Sequence, residues 1–304
     1  MDIMQFWRCL PFSTLLPPVF HAKLTSRRDV TAMFRLIAVD LDDTLLDSHK
    51  QLSSTTIRGL KAAQAKGIKI VPCTGRPLPG VRTTLDALGL HGDDQYVIVQ
   101  GGGVVQSTNG KIIAQKFLNH QDYQDFSTFA THVSAAGIDS NVITPAGEVY
   151  TADRNISKYT VLQAWENHAG IKVREPQEMP NDFVIAKGLL LGEPENLAKI
   201  QPQAEAEFGN RFTVIRSMPF MLEIMPRGVN KGWGLAQLTQ YLGLQPADVI
   251  AFGDEHNDLD MFDFSGTSVA VANGQDVVKD QADYVTASND EDGVVQALKH
   301  FKII

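Results

Sequence analysis

The chain has 304 residues, of which 43% are hydrophobic and 20% charged, and a formal net charge of -8. That length calls for one large α/β domain or two domains with separate cores, and the composition excludes disordered, collagenous and membrane-spanning classes. The negative balance, with no Lys/Arg stripe interleaved with aromatics, argues against a nucleic-acid partner, whereas a small phosphorylated substrate held by local cations or a metal stays open.

In chain order, residues 1–32 contain F-W-R-C-L-P-F-S-T-L-L-P-P-V-F, broken by Pro11, Pro17 and Pro18. The segment lacks the basic n-region and clean cleavage site of a signal peptide, and reads as a disordered tail or a start codon assigned too early. From Phe34 short β-branched runs alternate with amphipathic stretches, the pattern of a parallel sheet wrapped in helices. F-R-L-I-A-V (34–39) is the first strand. A helix over 53–66 is announced by Ser53 as N-cap, an apolar face of Ile57, Leu60 and Ala63, and Gly67 beyond its end. I-K-I-V-P-C (68–73) is the second strand, 77–88 a helix with Pro77 in its first turn, and Y-V-I-V (96–99) the third strand.

From about Ser107 to Met225 the character changes. Strands such as K-I-I-A-Q-K-F and E-V-Y-T surround the helical Q-D-Y-Q-D-F-S-T-F-A-T-H-V, which suggests an inserted α+β domain. The βα rhythm then resumes with a helix over 231–242, the buried strand V-I-A-F-G-D (249–254), strands at 269–272 and 284–287, and a helix over 291–301. The expected organisation is a first core segment 33–115, an insertion 116–224 and a second core segment 225–304.

Four places carry chemistry. In V-D-L-D-D-T, Asp40 and Asp42 leave the end of the first strand on the same side, by strand parity, where open parallel sheets bind ligands. Two converging carboxylates repel each other and any phosphate, so they imply a cation. Oxygen ligands without His or Cys favour Mg²⁺. Asp43 falls out of this parity and reads as a turn residue that tolerates left-handed geometry. In C-T-G-R-P, the Thr74 hydroxyl, Gly75, Arg76 and the amides of the following helix can receive an anion; a plain N-cap is the simpler reading of Thr74. Lys231 opens a helix, where the dipole disfavours a cation, which suggests an anionic partner. G-D-E-H-N-D brings Asp254, Asn257 and Asp258 to another strand end, either as further ligands or as helix caps.

Cys9 and Cys73 form no CxxC and suit a reducing, cytoplasmic setting. The eight histidines show no HxxxH pair, so a histidine zinc site is not expected.

Taken in order, Asp40-Leu41-Asp42-Asp43-Thr44, Thr74-Gly75-Arg76, Lys231 and Gly253-Asp254-x-x-x-Asp258 resemble the four motifs of haloacid dehalogenase (HAD) phosphatases. The insertion between the second and third resembles the C2-type cap of the Cof-type subfamily. T-A-D-R-N-I-S-K-Y-T-V (151–161), P-F-M-L-E-I (219–224) and N-D-E-D-G-V (289–294) resemble the YidA-type sugar phosphatases more closely still. The resemblance implies a Rossmann-like core with an α+β cap and a Mg²⁺-dependent phosphatase of small phosphorylated metabolites, sugar phosphates first. Flavin precursors, pyridoxal phosphate and a catalytically silent phospholigand-binding module are the alternatives.

It further implies that Asp40 is the nucleophile and Asp42 the general acid/base. Mg²⁺ would be held by Asp40, Asp254 and the Asp42 carbonyl, with Asp258 in support. Thr74 and Lys231 would hold the phosphoryl group, and Gly75, Arg76 and Asn257 would contact substrate. A mutase cap after the first motif has no room, since only about 25 residues separate Asp42 from the second strand, and a dehalogenase would not need Asp42. Two residues depart from the pattern: Asp43 replaces the usual glycine, and Gly101 stands where an asparagine is common. No membrane partner is expected, and a monomer or small homo-oligomer suffices.

Overall fold

A computed structural model describes residues 34–304; the expectations for residues 1–32, Cys9 included, lie outside the described residues. β1 (Leu36–Val39) is wholly buried. Ser53 caps α1 (Ser54–Ala65), its hydroxyl accepting from the Thr56 amide at 2.9 Å. After β2 (Lys69–Pro72), α2 (Leu78–Leu88) begins with Pro77 at its cap position. Thr74, Gly75 and Arg76 therefore precede the helix, as the expected start at Pro77 requires, and Thr74 is not its N-cap.

β3 (Tyr96–Val99), β4 (Val104–Ser107) and β5 (Ile112–Gln115) form an antiparallel meander, joined to β2 by a parallel bridge between Cys73 and Ile98. The K-I-I-A-Q strand, grouped by its character with the following stretch although it lies within the expected core bounds 33–115, is thus an extension of this hairpin. The insertion then supplies α3 (His120–Val133), β6 (Ile138–Ile143), β7 (Val149–Thr151), α4 (Lys158–Glu166), β8 (Ile171–Val173), β9 (Lys187–Gly192), α5 (Pro194–Phe208), β10 (Phe212–Met218) and β11 (Met221–Pro226). The chain continues through α6 (Lys231–Tyr241), β12 (Val249–Gly253), α7 (Leu259–Phe264), β13 (Thr267–Ala270), α8 (Asp276–Gln281), β14 (Tyr284–Val285) and α9 (Gly293–His300).

The core sheet has the order β14-β13-β12-β1-β2, all parallel. Strand parity divides its residues between two apolar layers. Ile37, Val39, Ile70 and Phe252 pack under α1, α2 and α9, while Leu36, Ala38, Val71 and Ala251 pack under α6, α7 and α8. With helices on both faces, the ends of β1, β2 and β12 are left to carry loops, and these loops hold the sequence motifs.

The cap is a six-stranded sheet of order β10-β11-β9-β6-β7-β8, antiparallel except for β7 with β8. Its own core, with Phe126, Leu190, Phe208, Leu222 and Ile224, lies against α3 and α5. The opposite face carries Ile143, Val149, Leu189 and Leu191 beneath α4.

The cap rests on the core through close backbone contacts. Gly80 of α2 has no room for a side chain, because a Cβ there would sit 2.8 Å from the Glu166 carbonyl oxygen at the end of α4. Gln100 Nε2 also donates to the Thr144 carbonyl at 3.1 Å. Gly80→Ala should favour α2 itself by about 1 kcal/mol through helix propensity while forcing α4 away. We expect an unchanged far-ultraviolet spectrum and amide exchange about tenfold faster around Glu166 and Asn167. Unaltered exchange there would mean that the contact does not restrain the cap.

Candidate active site

β1 ends at Asp40, whose amide donates to the Phe252 carbonyl at 3.0 Å and fixes the turn beside β12. Asp42 follows in an extended conformation (φ -75°, ψ 123°) and Asp43 in the left-handed region (φ 62°, ψ 6°). As the sequence suggests, Asp43 makes the turn. Its carboxylate lies 3.0 Å from Lys50 Nζ instead of capping the following amides, and its carbonyl accepts from Asn273 Nδ2 at 2.7 Å.

Lys231 is the first residue of α6, and its side chain is only 2% exposed. Its ammonium lies 2.6 Å from Asp40 Oδ1 and 2.6 Å from Asp258 Oδ1. The anionic partner that its helix position implied is thus, first of all, a pair of the chain's own carboxylates. Asp258 stands at the N-cap position of α7 without capping it by its side chain; its other oxygen instead accepts from the amides of Asp254 and Glu255 at 2.9 and 3.0 Å, closing the turn before the helix. Gly253 makes room for this, since a Cβ there would fall 2.4 Å from the Asp258 carboxyl carbon. Asp254 accepts from the Thr44 hydroxyl at 2.6 Å.

One oxygen each of Asp40, Asp254 and Asp258 lies within 4.8 Å of the others, and all three residues are buried. Burial raises Asp40 well above the usual carboxylate range; Lys231 pulls it back, and Asp258, Asp254 and Asp42 push it up again. Asp254 is pushed up to about 7 by burial and then by Asp258. Burial would lower Lys231, but Asp258 and Asp40 outweigh it and hold the ammonium above its ordinary range. Three buried carboxylates facing one ammonium are short of positive charge. Hard oxygen donors with that deficit fit a divalent cation.

Above this floor is a cavity of about 110 Å³ lined by Asp40, Asp42, Thr74, Gly75, Arg76 and Asn257, among others. Arg76 grips Asp42 with two bonds of 2.8 and 2.6 Å, and Lys50 stands 3.4 Å away. Burial would raise Asp42, yet Arg76 and Lys50 hold it below the ordinary carboxylate range. Thr74 Oγ1 accepts from the Arg76 amide at 3.1 Å, so it orders the loop as well as facing the cavity. Asn257 Oδ1 is buried without a hydrogen-bond partner. Gly101 has φ +65°, a conformation that asparagine also tolerates, so the departure keeps the backbone and loses only the side chain.

All nine residues singled out in the sequence thus belong to one locality: Lys231, Asp254 and Asp258 in the floor, the others around the cavity. Sequence reasoning missed the cap side of the cavity, formed by Gln163, Glu166 and Asn167 near the end of α4 and by Lys187, Ser217, Met218, Met221 and Glu223 from the cap sheet. A signal was present, because Lys187 and Glu223 are charged residues within the apolar runs K-G-L-L-L-G and M-L-E-I-M-P.

A doubly wound parallel core, an α+β cap over its strand ends and a carboxylate–lysine floor define the class. The chain belongs to the haloacid dehalogenase-like hydrolase family, whose sequence profile matches residues 37–298, and it is a phosphatase of that family's Cof-type branch. Among its relatives is YxeH of Bacillus subtilis (strain 168), named as a phosphatase, 35% identical over 88% of this chain and 97% of that protein. The 5-amino-6-(5-phospho-D-ribitylamino)uracil phosphatase YcsE of the same organism is 29% identical over 90% of this chain and 98% of that protein. The crystal structure of a haloacid dehalogenase-like hydrolase from Bacteroides thetaiotaomicron superposes with a TM-score of 0.79 at 29% identity, covering 88% of this chain and 99% of that one. No helix among the described residues is long and apolar enough to cross a membrane.

Two outcomes test the charge balance. Lys231→Met strands Asp40 and Asp258 and should cost about 3–5 kcal/mol of stability in chelator, measured by denaturant unfolding, with partial recovery when Asp258→Asn is added. In addition, the folded value of about 7 for Asp254 lies above its ordinary 3.8. Stability from its protonation is therefore complete below about pH 4 and lost as pH rises through about 7. Chelated protein should melt lower at pH 8 than at pH 6, and a saturating divalent cation should remove the difference; equal melting temperatures in chelator would contradict this assignment.

Proposed function

We propose that the protein is a Mg²⁺-dependent phosphomonoesterase of small phosphorylated metabolites, sugar phosphates first, with 116–224 acting as the cap on a core formed by 33–115 and 225–304. The observation that carries this reading is the Lys231 ammonium 2.6 Å from Asp40, with Asp42 at the wall of the same cavity. It supports a carboxylate nucleophile, a cation for the phosphoryl oxygens and a second carboxylate for proton transfer around one point.

An Asp40 oxygen attacks phosphorus in line while the bond from phosphorus to the leaving oxygen breaks, leaving an aspartyl-phosphate. Asp42 is the proton donor to the departing alkoxide, a role that requires it to exchange the Arg76 and Lys50 contacts that hold its carboxylate ionised for the leaving oxygen. The resulting Asp42 carboxylate then takes a proton from water as that water attacks the aspartyl-phosphate, which frees Asp40 and releases phosphate. Lys231 and the Thr74 hydroxyl hold the phosphoryl oxygens, and the Asn257 amide N–H and Arg76, which line the same cavity, complete the cradle.

Asp40, Asp254 and the Asp42 carbonyl, with Asp258 beneath, would hold Mg²⁺, which when bound supplies positive charge opposite the phosphoryl oxygens. The oxygen-only donor set supports Mg²⁺ over softer metals. The cap excludes water from the attack. A cavity of about 110 Å³, small beside ligand clefts of roughly 300–1,000 Å³, supports a small leaving group. The buried free thiol of Cys73 supports a reducing, cytoplasmic setting. Similarity to YcsE keeps a ribityl-bearing flavin precursor as a second substrate reading.

Purified protein should hydrolyse p-nitrophenyl phosphate only with a divalent cation and give a hydroxylamine-sensitive phosphoenzyme. Asp40→Asn should lower kcat by roughly a thousandfold or more and abolish the phosphoenzyme. Retained turnover in that variant would refute Asp40 as nucleophile, and a wild type inert toward all phosphate esters would indicate a silent binding module.

A further inference from the structure

Lys187 and Glu223, on neighbouring cap strands β9 and β11, face the core at the wall of the cavity. Both are almost fully buried, 4% and 5% exposed, with Nζ 3.0 Å from Oε2. A desolvated ion pair adds little to stability over apolar residues of the same size, and the same face of β9 otherwise carries Leu189 and Leu191. The pair is also incompletely satisfied. The Lys187 ammonium donates to Glu223 and, at 3.3 Å, to the Gly75 carbonyl, which leaves one proton free. Glu223 accepts from Lys187 and, at 2.7 Å, from the Ser217 hydroxyl, and keeps spare acceptor capacity.

Asn167 adds an independent observation. It caps the C-terminal end of α4, lines the same cavity and is 4% exposed, yet its Nδ2 is buried with no hydrogen-bond partner. Buried amide donors are rarely left unmade. Beside these groups Met218 and Met221 give the wall an adaptable apolar patch.

We propose that this wall is a hydroxyl-reading subsite, in which the Lys187–Glu223 pair and the Asn167 amide bind neighbouring hydroxyls of a polyhydroxylated leaving group. The proposal rests on the phosphatase reading of the floor and names its substrate class: monophosphates of sugars or open-chain polyols. A hydroxyl is donor and acceptor at once, so one can accept from Lys187 while donating to Glu223, and a second can accept from Asn167. An aromatic or simple alkyl alcohol answers neither demand. Because Lys187 and Glu223 already pair with each other, an absent hydroxyl is penalised less than at a site whose polar groups depend wholly on substrate.

The test compares kcat/KM for pentose, hexose and alditol monophosphates, their monodeoxy analogues and p-nitrophenyl phosphate, in the wild type, Asn167→Leu and Glu223→Gln, all with Mg²⁺. Asn167→Leu removes a donor without an internal partner and should not lower the melting temperature, so misfolding does not obscure the result. The wild type should prefer a hydroxylated ester to its deoxy analogue. Each substitution should lower kcat/KM for that ester about 10- to 100-fold more than for p-nitrophenyl phosphate. Equal losses on both esters, or turnover of the aryl ester with no preference between hydroxylated and deoxy esters, would overturn the subsite alone. Absence of turnover on every ester would overturn the phosphatase reading first and the subsite with it.

Discussion

The placement of one buried ammonium between two buried carboxylates governs the site. Lys231 reaches Asp40 at the end of β1 and Asp258 at the start of α7, so a single side chain ties together elements 191 and 27 residues away in sequence. Its charge would be expensive to bury alone, and so would each aspartate. Together they still lack positive charge once Asp254 is included. The floor is therefore stable enough to fold yet poised to attract a cation and then a dianion. The parallel sheet makes this possible, because β1 and β12 are neighbours in register and deliver Asp40 and Asp254 side by side.

Much of this was legible from the residues. The period-two apolar runs gave the core strands, Ser53 gave the start of a helix, and the parity of Asp40 and Asp42 pointed both at one cavity. The errors share a physical cause, in that local pattern does not report distant partners. K-I-I-A-Q carries β-branched residues that suit either sheet, and only pairing with β4 assigns it to the core meander. Pro77 can serve as cap or as first helical residue, and it is the cap, so α2 starts one residue later than expected, at Leu78. Likewise, nothing adjacent to Lys187 in sequence announces Glu223, 36 residues later, as its partner.

The opening motif also shows how one backbone position separates roles. Asp42 is extended and Asp43 left-handed, so only Asp42 reaches Arg76, while Asp43 stays at the half-exposed rim, and Lys50 bridges the two carboxylates. A glycine would make the same turn without that second ion pair. Gly101, itself at positive φ, is the converse case, a turn without the polar side chain that asparagine would bring.

The two faces of the cap sheet carry different burdens. Phe126, Leu190, Leu222 and Ile224 on one side hold the cap together with α3 and α5, while Lys187, Met221 and Glu223 on the other face the cavity. Adjacent positions along β11 alternate strictly between these duties, so a change at one duty need not disturb the other. Single replacements at every second residue can therefore reshape the cavity wall, with the alternate residues keeping the fold of the cap as a fixed frame.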